Sequence, residues 1–239
     1  MMPLKPRYWT IVPAAGKGRR FGAAVPKQFH LLRNKPLAQH TLNRLLSVGC
    51  IERIIVSCDP ESDRWSMVDA VTSSKVDLTS GGKSRANSVF NGLEHLQAVA
   101  DPLDWVLVHD IARPCVSVSD IHKLISALDD NLVGGILAAP VRETLKRVNP
   151  DQSVQETLSR DSFRLAQTPQ MFRYGLLYEA MSTLLNDGEE PTDEASAMEY
   201  VGHTVSVVDG RTDNIKVTSA EDLVIAEAIL DRQEKSLCE

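Results

Sequence analysis

The chain has 239 residues, 43% of them hydrophobic and 24% charged, with a formal net charge of −6; this fits one globular domain with its own core and excludes a general nucleic-acid binder. Its four cysteines, Cys50, Cys58, Cys115 and Cys238, have no metal-ligand spacing, and a chain this long needs no disulfide staples. No apolar h-region follows Lys5 and Arg7, and no run of roughly 20 apolar residues occurs, so a cytoplasmic protein with no signal peptide and neither a membrane nor a nucleic-acid partner is expected.

In chain order, short continuous runs rich in Val, Ile and Leu predict strands at 9–13, 53–57, 76–79, 105–109 and 135–139. Helical spacing separates them. Residues 37–48 place Leu37, Leu42, Leu45 and Leu46 largely on one side. Residues 84–96 offer Val89, Leu93 and Leu96, and residues 117–128 open on Ser117 as a cap and carry Ile121, Leu124 and Leu128. Alternating strands and helices read as an α/β, doubly wound, mostly parallel sheet, in which ligands sit at the carboxyl ends of the strands.

Residues 141–160 break that rhythm. Two β-like runs flank Asn149, Pro150 and Asp151, a turn signal, and neither face of the hairpin is apolar enough for the core. A protruding β-arm covered by a second subunit is expected, with a solvated surface hairpin as the alternative. Helices are predicted at 174–185, 193–200 and 219–232, and a strand at 204–208. No linker or repeat divides the chain, so one domain spanning residues 1–239 plus the arm is the economical organisation.

The first strand runs into P-A-A-G-K-G-R-R-F-G, residues 13–22, with Pro26, Lys27 and Gln28 close behind. Ala14, Ala15, Gly16 and Gly18 let backbone N–H groups approach an anion, while Lys17, Arg19, Arg20 and Lys27 concentrate positive charge in an acidic protein. A triphosphate site is the favoured reading over a ligand-free tight turn. Phe21 breaks a dinucleotide fingerprint starting at Gly16, and Asp77 breaks a P-loop ending at Ser84. Asp110 ends an apolar strand where packing needs no carboxylate; a helix cap or an ion pair with Arg113 is the plainer explanation. His109 reads as a structural strand-end histidine, since one His without clustered partners is weak metal evidence.

P-A-A-G-x-G-x-R with P-K-Q resembles the sugar-phosphate nucleotidylyltransferases. G-G-x-x-R at 81–85 with Ser88, V-H-D-x-A-R-P at 108–114, T-D-E-A-S-A at 192–197 and G-R-x-D-N-I-K-V-T at 210–218 narrow the resemblance to the 2-C-methyl-D-erythritol 4-phosphate cytidylyltransferase family. It spans about residues 11–227. The chain is expected to lack the fused cyclodiphosphate synthase domain of some relatives. Two positions depart from the family pattern: Ile111 stands where a small residue is usual, and Lys83 where an acidic one is common.

The resemblance implies a Rossmann-like nucleotidyltransferase fold and transfer of CMP from CTP to a small sugar-alcohol phosphate in non-mevalonate isoprenoid biosynthesis, with pyrophosphate released and Mg²⁺ as cofactor. It implies Arg20, Lys27, Arg160 and Lys216 as catalytic cations. It implies Ala14, Ala15, Gly16, Gly81, Gly82, Arg85 and Ser88 around the nucleotide. Asp110, Arg113, Thr144, Arg160 and Lys216 would bind the acceptor, and Asp110 and Asp213 would be the carboxylates nearest Mg²⁺, held mainly by the CTP phosphates. Thr144 and Arg160 lie on the arm, which in this family reaches across a homodimer. Ribitol-5-phosphate cytidylyltransferase is the near alternative. A non-catalytic CTP-binding regulatory domain is the alternative of another class.

Overall fold

The computed structural model describes residues 5–16 and 25–235. Its centre is a seven-stranded sheet. Strand β1 (Tyr8–Pro13) pairs in parallel with β4 (Ile51–Cys58) on one side and β6 (Trp105–Val108) on the other, and β4 pairs in parallel with β5 (Val76–Ser80). Helix α1 (Leu37–Leu46) follows a small ribbon of β2 (Leu31–Leu32) and β3 (Lys35–Pro36); α2 (Arg85–Leu96) joins β5 to β6, and α3 (Val118–Ala127) leads to β7 (Gly134–Pro140).

The predicted runs form strands because both sheet faces are covered. In β1, Trp9 and Ile11 face a core layer shared with α2, while Val12 faces the layer holding Leu42, Leu45, Ile121 and Leu124 of α1 and α3. Each such fully buried Leu, Ile or Val contributes roughly 1.5–3 kcal/mol relative to exposure. Chain-local signals hold at the helix starts. Ser84 and Ser117 each accept a hydrogen bond from a first-turn N–H of α2 and α3.

The sequence reading misses one central strand. β10 (Arg164–Arg173) lies between β6 and β7 and is antiparallel to both. Pro169 argues against a central strand, and Gln167, Thr168 and Gln170 are polar. The ladder slips register between Ala166 and Gln170, which excuses the proline from bonding, and the three polar residues are buried. Gln170 satisfies itself across the chain: its Nε2 donates to Asp193 Oδ2 at 2.9 Å and its Oε1 accepts from Ala195 N at 2.9 Å. Those bonds pin α5 (Glu194–Tyr200), which packs with α4 (Tyr174–Asn186) over the α2 face. Strand β11 (Ser206–Asp209) adds in parallel to β7, and α6 (Ala220–Lys235) buries Ala226 and Leu230 against Leu32, Leu37 and Val217.

The predicted arm is an antiparallel ribbon of its own, β8 (Leu145–Val148) against β9 (Val154–Leu158), and nearly all its residues are exposed. Val148 and Val154 sit opposite each other in register and are 50% and 59% exposed, more than an isolated ribbon is expected to leave to water. No helix among the described residues is long and apolar enough to cross a membrane.

Candidate active site

At the carboxyl ends of β1, β4 and β6 lies a cavity of about 850 Å³. Ala14, Ala15, Gly16, Lys27, Gly82, Arg85, Ser88, Asp110 and Lys216 from the sequence reading all line it. The floor is tightly built. Gln28 Nε2 donates to Ala14 O at 2.9 Å, and Ala14 N donates to Ser57 O at 2.7 Å. Gly81 touches β1's extension so closely that a Cβ would stand 2.3 Å from Ala15 Cβ; at Gly82 a Cβ would stand 2.3 Å from Asn87 Cβ. Both glycines are therefore required by close approach. Ser88 Oγ accepts from Gly82 N at 3.0 Å and donates to Ser84 O at 2.9 Å, fixing the G-G turn on the first turn of α2. Lys83 and Ile111, the two departures, also face this cavity.

A second, smaller cavity of about 270 Å³ abuts the first. It shares Arg85, Asp110 and Lys216 with it and adds Arg113, Thr168, Gln170, Thr192 and Asp193. The shared residues form a charged knot. Asp110 Oδ1 accepts from Arg85 Nε at 3.0 Å, and Oδ2 lies 2.9 Å from Lys216 Nζ and 3.4 Å from Arg113 Nε. Burial opposes ionisation of Asp110, but Arg85, Lys216 and Arg113 overcome it and hold the carboxyl well below the usual range. Lys216 is placed by its own strand-like segment, where Val217 N donates to Ala112 O at 2.8 Å. Arg113 is clamped by Asn214 O at 2.7 Å.

His109 is fully buried beside this knot. Its Nδ1 meets Thr168 Oγ1 at 3.0 Å and its Nε2 meets Arg113 O at 3.2 Å, so the neutral ring with a proton on Nε2 satisfies both. Burial pushes its pKa down to about 4. Between that value and the unfolded value near 6.5, the unfolded chain binds the extra proton, so stability falls as pH falls. Wild-type protein is expected to lose about 2 kcal/mol from this group between pH 7.5 and pH 5. Chemical unfolding at the two pH values checks this, with His109→Gln flattening the difference.

Other expected positions are placed elsewhere. Arg20, with Lys17 and Arg19, lies outside the described residues. Thr144 and Arg160 are exposed at the arm; Arg160 Nη1 donates to Arg142 O, and neither residue lines the two cavities. Asp213 is corrected: it lines a separate cavity with Arg142, Arg211 and Arg232. Arg211 Nε donates to its Oδ1 at 2.9 Å and Arg232 Nη2 to its Oδ2 at 2.7 Å, so two guanidinium groups occupy the carboxylate proposed for metal. Among the described residues no group of three His, Cys, Asp or Glu is arranged to hold a metal ion. Both Asp110 oxygens also face cations, so the donor set does not form a protein cage for Mg²⁺.

The sequence reading assigned no role to Thr168, Gln170 or Glu194. Glu194 is 1% exposed and holds Arg85 with both oxygens, at 2.7 and 3.0 Å. Its only sequence signal is membership of the T-D-E-A-S-A segment.

The family model described as 2-C-methyl-D-erythritol 4-phosphate cytidylyltransferase matches residues 9–232. The chain is 47% identical over 227 residues to the Dechloromonas aromatica protein of that name, covering 94% of this chain and 98% of the relative. It is 44% identical over 223 residues to the Mannheimia succiniciproducens protein of the same name, covering 93% and 96%. The crystal structure of 2-C-methyl-D-erythritol 4-phosphate cytidylyltransferase from Francisella tularensis superposes with a TM-score of 0.80 at 35% identity, over 93% of this chain and 99% of that one.

Proposed function

Because the chain belongs to the 2-C-methyl-D-erythritol 4-phosphate cytidylyltransferase family, we propose that it transfers CMP from CTP to 2-C-methyl-D-erythritol 4-phosphate and releases pyrophosphate. The observation that carries the reading is the position of Lys216, whose ammonium lines both cavities while Asp110 anchors it. The larger cavity takes the nucleotide over Ala14–Gly16 and the G-G turn; the smaller takes the acceptor beside Arg113 and Thr168.

An acceptor phosphate oxygen attacks the α-phosphorus, the bond to the bridging oxygen breaks, and pyrophosphate leaves with that electron pair. The acceptor phosphate is largely ionised near neutral pH, its second pKa being about 6, so no general base is required. The barrier is mutual repulsion of two anions, and fixed cations lower it. Lys27 and Arg20 serve the nucleotide phosphates in this reading, and Lys216 stands between the reacting groups. Mg²⁺ is proposed to arrive on the CTP phosphates and supply further charge neutralisation, with Asp110 the nearest carboxylate.

We place the enzyme in the cytoplasm as a homodimer whose arms cross between subunits, bringing Arg160 and Thr144 to the neighbour's acceptor cavity. The exposed apolar residues of the arm support this. Mixing inactive Lys27→Ala and Arg160→Ala enzymes under subunit exchange is expected to restore roughly one quarter of wild-type activity, because half the dimers are mixed and each carries one intact site. No recovery rejects the shared site.

Pyrophosphate release measured with each of the four nucleoside triphosphates, against methylerythritol phosphate and ribitol phosphate, tests the reading. Turnover with CTP and methylerythritol phosphate is expected. Turnover with ribitol phosphate alone overturns the acceptor, and CTP binding without turnover overturns the activity.

A further inference from the structure

We infer that Glu194 is a positioning residue for this reaction: by occupying the fork of Arg85 it keeps Asp110 turned toward Lys216. The inference rests on the activity proposed above.

Glu194 opens α5, and Arg85 opens α2, 109 residues earlier. Arg85 Nη1 and Nη2 donate to Glu194 Oε1 and Oε2 at 2.7 and 3.0 Å, leaving Nε to donate to Asp110 Oδ1 at 3.0 Å. A guanidinium prefers to engage a carboxylate through two parallel N–H bonds. Glu194 takes that bidentate geometry, so Asp110 receives a single bond from Arg85. Its second oxygen is left for Lys216 at 2.9 Å.

Stability alone is a poor reason for such a pair. Removing two charges from water costs several kcal/mol per ion, and well-packed apolar residues often serve as well. The surroundings are nevertheless arranged to hold the Glu194 carboxylate still. Gln170 of β10 grips Ala195 N and Asp193 Oδ2 on either side of it, and Asp193 and Ser196 close a capping box around the first turn of α5. The knot as a whole carries three cations, Arg85, Arg113 and Lys216, against two carboxylates, Asp110 and Glu194. Without the Glu194 charge, Arg85 is free to turn its fork onto Asp110, and the carboxylate swings away from the ammonium it anchors.

The test is Glu194→Gln, which keeps the shape and removes the charge. Turnover per folded molecule is expected to fall about 10–100-fold, the size of a misplaced reacting group. The KM for CTP should change less than about threefold, since Glu194 touches no part of the nucleotide cavity floor. The Arg85 Nε–H resonance, assigned through Arg85→Lys, reads the geometry without turnover. It is expected to shift and exchange faster in the variant. A lower melting temperature with unchanged turnover per folded molecule, or an unaltered Arg85 resonance, overturns the inference and leaves Glu194 a packing strut. Should Glu194→Gln not fold, Glu194→Asp keeps the charge but shortens the reach, and the same two readouts decide with a smaller fall in turnover. If the wild-type enzyme releases no pyrophosphate at all, the activity fails separately, and the Arg85 resonance still decides the role of Glu194.

Discussion

Lys216→Met is expected to lower kcat by about 10²–10³-fold while the fold survives, as removal of one preorganised charge-stabilising donor does. Met keeps the length of the stem and discards the charge. Lys216 is the cation lining both cavities besides Arg85, and Arg85 has two carboxylates to serve. No other described cation is placed to stand between an attacking phosphate and the α-phosphorus. The effect should appear in kcat more than in the KM for CTP, because the interaction is strongest when both anions meet. Steady-state pyrophosphate release across CTP concentrations measures the split. Turnover within threefold of wild type removes Lys216 from the mechanism.

Asp110→Asn is expected to cost about 3 kcal/mol of stability at pH 7, because three cations then face a neutral amide in a buried site. Its pH dependence identifies the cause. The folded-state pKa lies below the unfolded value near 3.9, so the ionised group stabilises above that value and its contribution is lost as pH falls through and below it. The stability gap between wild type and variant should therefore be full at pH 7 and shrink steadily below pH 4. A gap that is constant with pH would point to packing instead. Turnover should also fall sharply, since Lys216 loses its anchor.

Much of this arrangement is written locally in the sequence. Continuous Val, Ile and Leu runs mark strands covered on both faces, and glycines beside cations mark a phosphate loop. Asp110 is legible because a carboxylate at the end of an apolar strand has no packing reason to be there. What escaped depends on distant partners. β10 carries Pro169 and three polar residues, and only its neighbours' side chains turn those into a buried strand. Glu194 looks like an ordinary acid in a helix first turn, favoured there by the helix dipole, until folding brings Arg85 to it. Asp213 misled for the same reason: Arg232, 19 residues on, takes the carboxylate that the motif left open.

The reversal of strand direction at β10 divides the molecule's labour. Everything that cradles the nucleotide descends from the parallel half, β1, β4, β5 and β6 with α2, whereas the acceptor chamber borrows Ala166, Gln167, Thr168 and Gln170 from the antiparallel strand. Only Arg85, Asp110 and Lys216 belong to both. Evolution, or an engineer, can thus retune which alcohol phosphate is accepted by editing one strand, while the machinery that recognises the activated donor is inherited unchanged.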